Sequence, residues 1–325
     1  MPRTVLPPSA DDLAAARRIV RQHLAPTPLL RVPLEGREVC LKLESLQPTG
    51  AFKVRGALAG LGACRDALPI ITASAGNHAL GVAWASRRLG IPATIVVAET
   101  AAPVKIAKLR ALGANLVLHG TSYDEAEAHA LALAAGNGHY LSPYNDTHVI
   151  AGQSTVLDEI LTQLPGDDAP LTLIVPVGGG GLLAGIALRA DEIAGREIRL
   201  IGVEAAASRA VSASVTAGRT VEVPVGATIA DGLAGNIEAG SVTVDIIRRH
   251  GVPFCHVDEA AIRAGVRWLL EEHGLVAEGS AAAAIAALRQ ARAWAPEGHL
   301  AAVITGRNIA WNLLATIMQD SASTP

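Results

Sequence analysis

Cysteine is nearly absent from this sequence: Cys40, Cys64 and Cys255 are the only three in 325 residues. Three scattered thiols exclude a disulfide framework and a zinc site, and they read as small buried hydrophobes of a reducing compartment. Neither sign of charge dominates. The formal net charge is −3, lysine and arginine are dispersed, and no basic cluster offers a face to nucleic acid. No uninterrupted apolar run is long enough to span a bilayer. The most apolar stretch, Leu171 to Leu188, is broken by Pro176 and by glycines and reads as core. The N-terminal residues Met1 to Pro8 lack the apolar segment of a secretion signal, and Asp11-Asp12 follow. These absences predict a cytoplasmic protein with neither a membrane nor a nucleic-acid partner. Aromatic residues are only 3 %, so the 50 % hydrophobic content rests largely on alanine in helix-like stretches. Such a chain folds as one large core or as two domains sharing a cleft.

What is present begins with a glycine run, Gly178-Gly179-Gly180-Gly181. Before it, Leu171 to Val177 reads as a buried strand; after it, Leu182 to Leu188 reads as the opening of a helix. Glycines at a strand-to-helix turn leave several N–H groups with no side chains in front of them. At the partially positive end of a helix, that makes a seat for a phosphate. No lysine-serine or lysine-threonine pair follows, which excludes a nucleotide P-loop. A flexible linker would seldom be flanked by core-like residues on both sides.

Short apolar strands alternate with amphipathic helices along the rest of the chain. Strands are expected at Val39–Glu44, Ile70–Ala73, Ala93–Val97, Asn115–Leu118, Leu171–Val177, Arg199–Val203 and Leu300–Ile304. The helices between them include one capped by Ser9 or Asp11, Phe52–Leu61, His78–Leu89, Pro103–Leu112, Tyr123–Ala135, Gln153–Leu164 and Leu182–Ala194. The alternation predicts an α/β protein with mostly parallel sheet covered on both faces. Ligands of such sheets bind beyond the carboxyl ends of the strands. Two further polar-plus-glycine turns fall there: Ser74-Ala75-Gly76-Asn77-His78, and Thr305-Gly306-Arg307-Asn308, which is expected to open the last helix.

A lysine connects these turns. The segment Lys42-Leu43-Glu44-Ser45-Leu46-Gln47-Pro48-Thr49-Gly50-Ala51-Phe52-Lys53-Val54-Arg55-Gly56-Ala57 resembles the active-site segment of the fold type II pyridoxal-phosphate enzymes, in the threonine dehydratase and serine racemase group. By that resemblance Lys53, preceded by Phe52, holds the cofactor as a Schiff base. Ser74 to His78 is similar to the loop that meets the substrate carboxylate, with Asn77 on the cofactor's ring oxygen. Gly178 to Gly181 with Leu182 resembles the phosphate loop, and Thr305 stands where the family faces the pyridine nitrogen. Val149-Ile150-Ala151-Gly152-Gln153 and Thr228-Ile229-Ala230-Asp231-Gly232-Leu233 are further family-like stretches. The chemistry asks for such parts independently, since a desolvated lysine amine forms an imine with an aldehyde.

The resemblance implies two open, mostly parallel twisted sheets flanked by helices, the tryptophan synthase β-like fold. The cofactor then lies in the cleft between a large domain (residues 1–74 and 149–325) and a small mobile domain (75–148). It further implies a homodimer acting on an amino acid. The expected reaction is β-elimination of water from threonine, serine or a 3-hydroxy analogue, giving a 2-oxo acid and ammonia. Racemization is the rival, along with lyase chemistry on another β-substituted amino acid. The family's racemases carry a second serine where this chain has Ala75, and alanine exchanges no proton. The carboxylate-holding residues would be Ser74, Ala75, Gly76, Asn77 and His78. Leu80, Arg307, the Glu278-Gly279-Ser280 triplet and Asn145-Asp146 depart from the family pattern, and are expected around the substrate pocket. Some relatives bind Mg²⁺ or Ca²⁺ through a glutamate after the phosphate loop and a nearby acid. Glu204 matches the first ligand, while Ala205 to Ala210 supply no second carboxylate. The end at Pro325 leaves no expected room for an added regulatory domain.

Overall fold

Ser9 starts the first helix by a reciprocal cap: its hydroxyl accepts from the Asp12 amide while the Asp12 carboxylate accepts from the Ser9 amide. The computed structural model describes residues 3–64, 69–135, 138–290 and 297–320; Met1, Pro2 and Pro325, on which the expectations about the chain's ends partly rest, lie outside them. The first half runs α1 (Ala10–His23), β1 (Leu29–Leu34), β2 (Arg37–Lys42), α2 (Lys53–Ala63), β3 (Ile70–Ala73), α3 (Asn77–Leu89), β4 (Ala93–Val97), α4 (Pro103–Ala111), β5 (Asn115–Leu118), α5 (Tyr123–Ala134) and β6 (His139–Tyr140). There follow α6 (Thr147–Gln163), β7 (Leu171–Pro176), α7 (Gly181–Asp191), β8 (Ile198–Ala205), α8 (Ala210–Ala217), α9 (Val242–Arg249), β9 (Phe254–Val257), α10 (Glu259–His273), α11 (Gly279–Gln290), β10 (His299–Val303) and α12 (Trp311–Gln319).

Two sheets result, as expected. The larger has the order β1-β2-β10-β7-β8-β9, and the smaller β5-β4-β3-β6. Every pairing is parallel except the β1–β2 hairpin. All six residues of β7 are buried, the pattern of a central parallel strand with helices on both faces. One face of the larger sheet packs Ile174, Ile201 and Val203 against α10, α11 and α12; the other packs Leu173, Val175 and Leu200 against α6, α7 and α9. The smaller sheet lies between a core shared with α2 and α3 and a second core built on α5.

Several elements differ from expectation, four of them for a clear local reason. β1 escaped the sequence because Pro33 sits inside it; an edge strand tolerates the missing N–H, and Pro33 pairs opposite Glu38. α6 starts at Thr147 rather than Gln153, because the Asp146 carboxylate caps the amides of His148 and Val149. The last helix opens at Trp311, not at the Thr305 turn. That turn is held elsewhere: the Arg307 amide donates to Gly50 and the Gly306 carbonyl accepts from Glu278. Finally, β3 pairs with β4 and β6, so its four buried residues belong with the smaller sheet, ahead of the division drawn at residue 75.

A buried ion network anchors α2. The Arg55 guanidinium bonds Glu44 and Glu159 at 2.7 Å each, and Lys42 reaches Glu159 at 2.7 Å. Burial alone would raise the Glu44 carboxyl, but Arg55 outweighs it and holds the pKa below the ordinary value. The first turn of α2 is thereby pinned to the larger sheet.

Candidate active site

The carboxyl ends of β7 and β10 in one sheet, and of β3 in the other, converge on one place. Lys53 is the first residue of α2, and the preceding Phe52 amide donates to the Thr305 carbonyl after β10 at 3.0 Å. The Lys53 Nζ donates to the Pro143 carbonyl at 2.7 Å, with the Phe52 ring 5.1 Å away. Desolvation lowers its pKa to about 8, while the Glu278 carboxylate pulls in the opposite direction. A lysine in that range is a usable nucleophile and base near neutral pH.

Pro143 is followed by Tyr144, whose ring fills the space that a Cβ on Gly179 would need. The Tyr144 carbonyl lies 2.9 Å from where a Cβ of Gly181 would stand, and Gly232 closes on Gly178 in the same way. Gly180 adopts φ +84°, the left-handed region that favours glycine. The glycines are therefore needed for fit as well as for turning. Among the described residues, nothing accepts a hydrogen bond from the amides of Gly178, Gly179, Gly180, Gly181 or Leu182. Buried N–H groups are nearly always paired, so five free ones at the start of α7 match the oxygens of a phosphate. These residues fit the phosphate end of the cofactor, and Lys53 fits its aldehyde.

A second row of free amides opens α3. Ser74 and Ala75 follow β3, and Gly76 precedes the helix with its amide donating to Ser74 Oγ at 3.1 Å. The amides of Asn77, His78 and Ala79 donate to nothing among the described residues, which suits a carboxylate. The His78 ring turns inward. Burial and the nearby Lys53 amine lower its pKa to about 3, and its Nε2 donates to the Leu141 carbonyl at 3.2 Å. The His78 amide is left for a ligand, and the ring Nδ1 is buried with no partner among the described residues. Asn77 reaches across the cleft: its Nδ2 donates to Glu278 Oε1 at 2.7 Å, and its Oδ1 accepts from Asn308 Nδ2 at 2.7 Å. Thr305 is buried beside them.

Of the departures expected around the pocket, Glu278 alone joins this network. Asn145 bonds Glu238 and accepts from the Val242 amide, bracing α9. Asp146 caps α6 and pairs with His139 at 2.8 Å. Leu80 packs on the core shared by α2 and α3, and the Arg307 residue is exposed. The Glu204 carboxylate is engaged by protein groups: it accepts from the amides of Val211 and Ser212, at the start of α8, and meets His256 at 3.3 Å. No cluster of three or more histidine, cysteine, aspartate or glutamate side chains suits a metal among the described residues. Sequence reading missed Pro143 and Tyr144, placed Glu278 around the pocket without a role, and quoted Asn308 only as part of the Thr305 turn. Only Glu278 and Asn308 lie in segments that the sequence singles out.

Comparisons with known proteins point to one family. The family model described as pyridoxal-phosphate dependent enzyme matches residues 20–306. The L-threonine ammonia-lyase of Thermotoga maritima is 37 % identical over 316 residues, covering 95 % of this chain and 77 % of that protein. The L-threonine ammonia-lyase of Geobacter sulfurreducens is 40 % identical, covering 87 % of this chain and 70 % of the relative. Among solved structures, maize serine racemase is similar at TM-score 0.85 and 28 % identity, over 97 % of this chain and 100 % of that one. The processed form of threonine deaminase isoform 2 from Solanum lycopersicum is similar at TM-score 0.84 and 30 % identity, over 100 % and 92 %.

Proposed function

The chain belongs to the pyridoxal-phosphate-dependent enzymes, and from that premise we propose that it is an ammonia-lyase. It removes water from a β-hydroxy amino acid, L-threonine, L-serine or a 3-hydroxy analogue, and releases a 2-oxo acid and ammonia. The observation that carries this reading is a desolvated amine, Lys53, joined through Pro143 and Tyr144 to a cradle of unpartnered amides.

Bound pyridoxal phosphate supplies an aldehyde carbon for an amine and a ring that draws electrons from the α-carbon. The protein supplies the rest. The amides of Gly178 to Leu182 would hold the phosphate, Asn77 would serve the ring oxygen and the Thr305 hydroxyl the ring nitrogen. The substrate carboxylate lies at the amides of Asn77, His78 and Ala79, beside Ser74. Lys53 Nζ takes the α-proton and returns it to the β-hydroxyl, so that the carbon–oxygen bond breaks with loss of water and the α-carbon electron pair forms the α–β double bond. The released enamine then adds one water and gives 2-oxo acid and ammonia, so the water lost is regained.

Racemization is disfavoured by Ala75, whose methyl group has no proton to exchange where the family's racemases carry a serine. L-Threonine is the leading substrate because the curated relatives bear threonine ammonia-lyase names. No helix among the described residues is long and apolar enough to cross a membrane, and a homodimer in the cytoplasm is the assembly proposed. The smaller sheet with α3 and α5 is the part proposed to close over substrate, since α3 carries the carboxylate seat.

A panel of L-threonine, L-serine, 3-hydroxyaspartate and bulkier 3-hydroxy amino acids, assayed for 2-oxo acid with and without Mg²⁺, tests the reading. Turnover of one or more is expected. Silence across the panel, or conversion of L-serine to D-serine without 2-oxo acid, would overturn it.

A further inference from the structure

We propose that Glu278 and Asn308 are positioning residues: together they fix which end of the Asn77 amide faces the cofactor and leave one Asn77 N–H free for its ring oxygen. The inference rests on the cofactor assignment above and concerns how this chain presents Asn77.

A side-chain amide has an acceptor end and a donor end, and rotation about its last bond exchanges them. In this site the exchange is blocked by a chain of partners. Asn308 Nδ2 donates to the Thr49 carbonyl at 2.9 Å. A carbonyl only accepts, so the nitrogen end of Asn308 is the end that must face Thr49 and, with its second hydrogen, Asn77. Asn77 therefore meets it with oxygen, at 2.7 Å. The Asn77 nitrogen is then turned to Glu278 Oε1 at 2.7 Å. The other Glu278 oxygen accepts from the Asn308 backbone amide at 3.0 Å, which closes a ring of three residues.

The ring uses one of the two hydrogens on Asn77 Nδ2. Among the described residues nothing accepts the second. The carboxylate itself is seated tightly: it fills the space where a Cβ on Gly306 would lie, and the Glu278 amide donates to the Gly306 carbonyl at 3.1 Å. The charged groups facing Glu278 come from three elements: Asp231 in the turn before Gly232, Lys105 of α4 and Lys53 of α2. A carboxylate is the one side chain of this length that accepts from both Asn77 and Asn308. Glutamine has a single acceptor oxygen, so in E278Q one N–H faces an NH₂ group.

The test is cofactor binding, read on the full chain freed of cofactor and titrated with pyridoxal 5′-phosphate for wild type, E278Q, E278D and N308A. Affinity is expected to fall by about tenfold in E278Q, the effect of one charge-assisted hydrogen bond, and by about fivefold in N308A, which loses a neutral one, each with a shifted absorption maximum of the bound cofactor. E278D keeps both acceptor oxygens and is expected to recover part of the affinity. Thermal unfolding of the cofactor-free proteins separates this from a general loss of structure. If E278Q does not fold, N308A, which leaves the carboxylate in place, decides the matter. Variants that bind within twofold of wild type with an unchanged absorption maximum overturn the inference. A wild-type chain that binds no cofactor overturns the functional reading on which it stands.

Discussion

Lys53 and Pro143 are 90 residues apart, and the lysine amine donates to the proline carbonyl at 2.7 Å. That bond ties the first turn of α2 to the segment that carries Tyr144 against the glycine turn. It places an amine of lowered pKa beside a phosphate seat, and the consequences can be measured.

Removal of the amine separates chemistry from folding. K53A is expected to lose 2-oxo acid production by about a thousandfold or more, the usual scale for a group that moves the proton. The folded chain should not suffer. Desolvation lowers the Lys53 pKa from 10.5 to about 8, so the charged form costs stability, roughly 3 kcal/mol. That cost is complete below pH 8 and vanishes as pH rises to the unfolded value. Thermal unfolding of cofactor-free K53M should therefore exceed that of wild type at pH 7, with the advantage gone near the ordinary lysine pKa. A lower midpoint for K53M at pH 7 would contradict this.

Uptake of cofactor should follow the same proton. Only the neutral amine attacks an aldehyde, and half of Lys53 is neutral at about pH 8. The rate at which cofactor-free protein takes up pyridoxal 5′-phosphate is expected to rise about tenfold per pH unit below that value and to level off above it. Stopped-flow absorbance measures it. A flat profile between pH 6 and 9 would show that the amine is not limiting.

The tetraglycine turn is tight on its protein side as well as open on its ligand side. In G179A the new methyl group enters the Tyr144 ring, and overpacking of this kind costs about 1–3 kcal/mol. G179A is expected to bind cofactor weakly and unfold at a lower temperature, and Y144A added to it should restore part of the stability. Independent effects of the two substitutions would mean that Tyr144 does not press on Gly179.

Ordinary pH stability depends on a pair behind the site. Donation of a hydrogen bond to the Asp146 carboxylate raises the His139 pKa from 6.5 to about 10, and the nearby Cys64 adds to it against burial. A histidine raised in this way contributes in full below 6.5, and its contribution is lost as pH climbs through the folded value. Asp146 works in the other direction. Burial would raise its carboxyl, but His139 holds it below 3.8, so that contribution is lost in acid. Wild type should lose thermal stability between pH 7 and 10 by an amount that H139Q does not lose. Equal slopes for the two proteins would remove the pair from the account.

Much of this was legible along the chain. β3, β4 and β5 begin and end where their apolar runs do, and the glycine turn stands at the strand-to-helix junction that its flanks imply. Lys53, Asn77 and Thr305 were singled out by the resemblance of their segments to a known family, with polar-plus-glycine turns marking the last two. Pro143 and Tyr144 carry no such signature. Pro143 contributes a backbone carbonyl, and Tyr144 contributes its ring surface and its own backbone, parts whose roles only folding defines. Glu278 and Asn308 were visible as letters in segments already singled out, but their roles depend on partners 201 and 231 residues away. Glu204 was ambiguous for the opposite reason. A lone carboxylate after a strand is equally suited to a cation and to the start of a helix, and here the helix holds it.

The central claim is that this chain uses pyridoxal phosphate on Lys53 to eliminate water from a β-hydroxy amino acid. Its most direct measurement is the ratio of ammonia to 2-oxo acid released from L-threonine by cofactor-free protein before and after pyridoxal 5′-phosphate is restored, with K53A alongside. One ammonia for each 2-oxo acid, appearing only when both the cofactor and Lys53 are present, is the predicted result. Product formed equally without cofactor or by K53A, or no product from L-threonine or the wider hydroxy amino-acid panel, would contradict it.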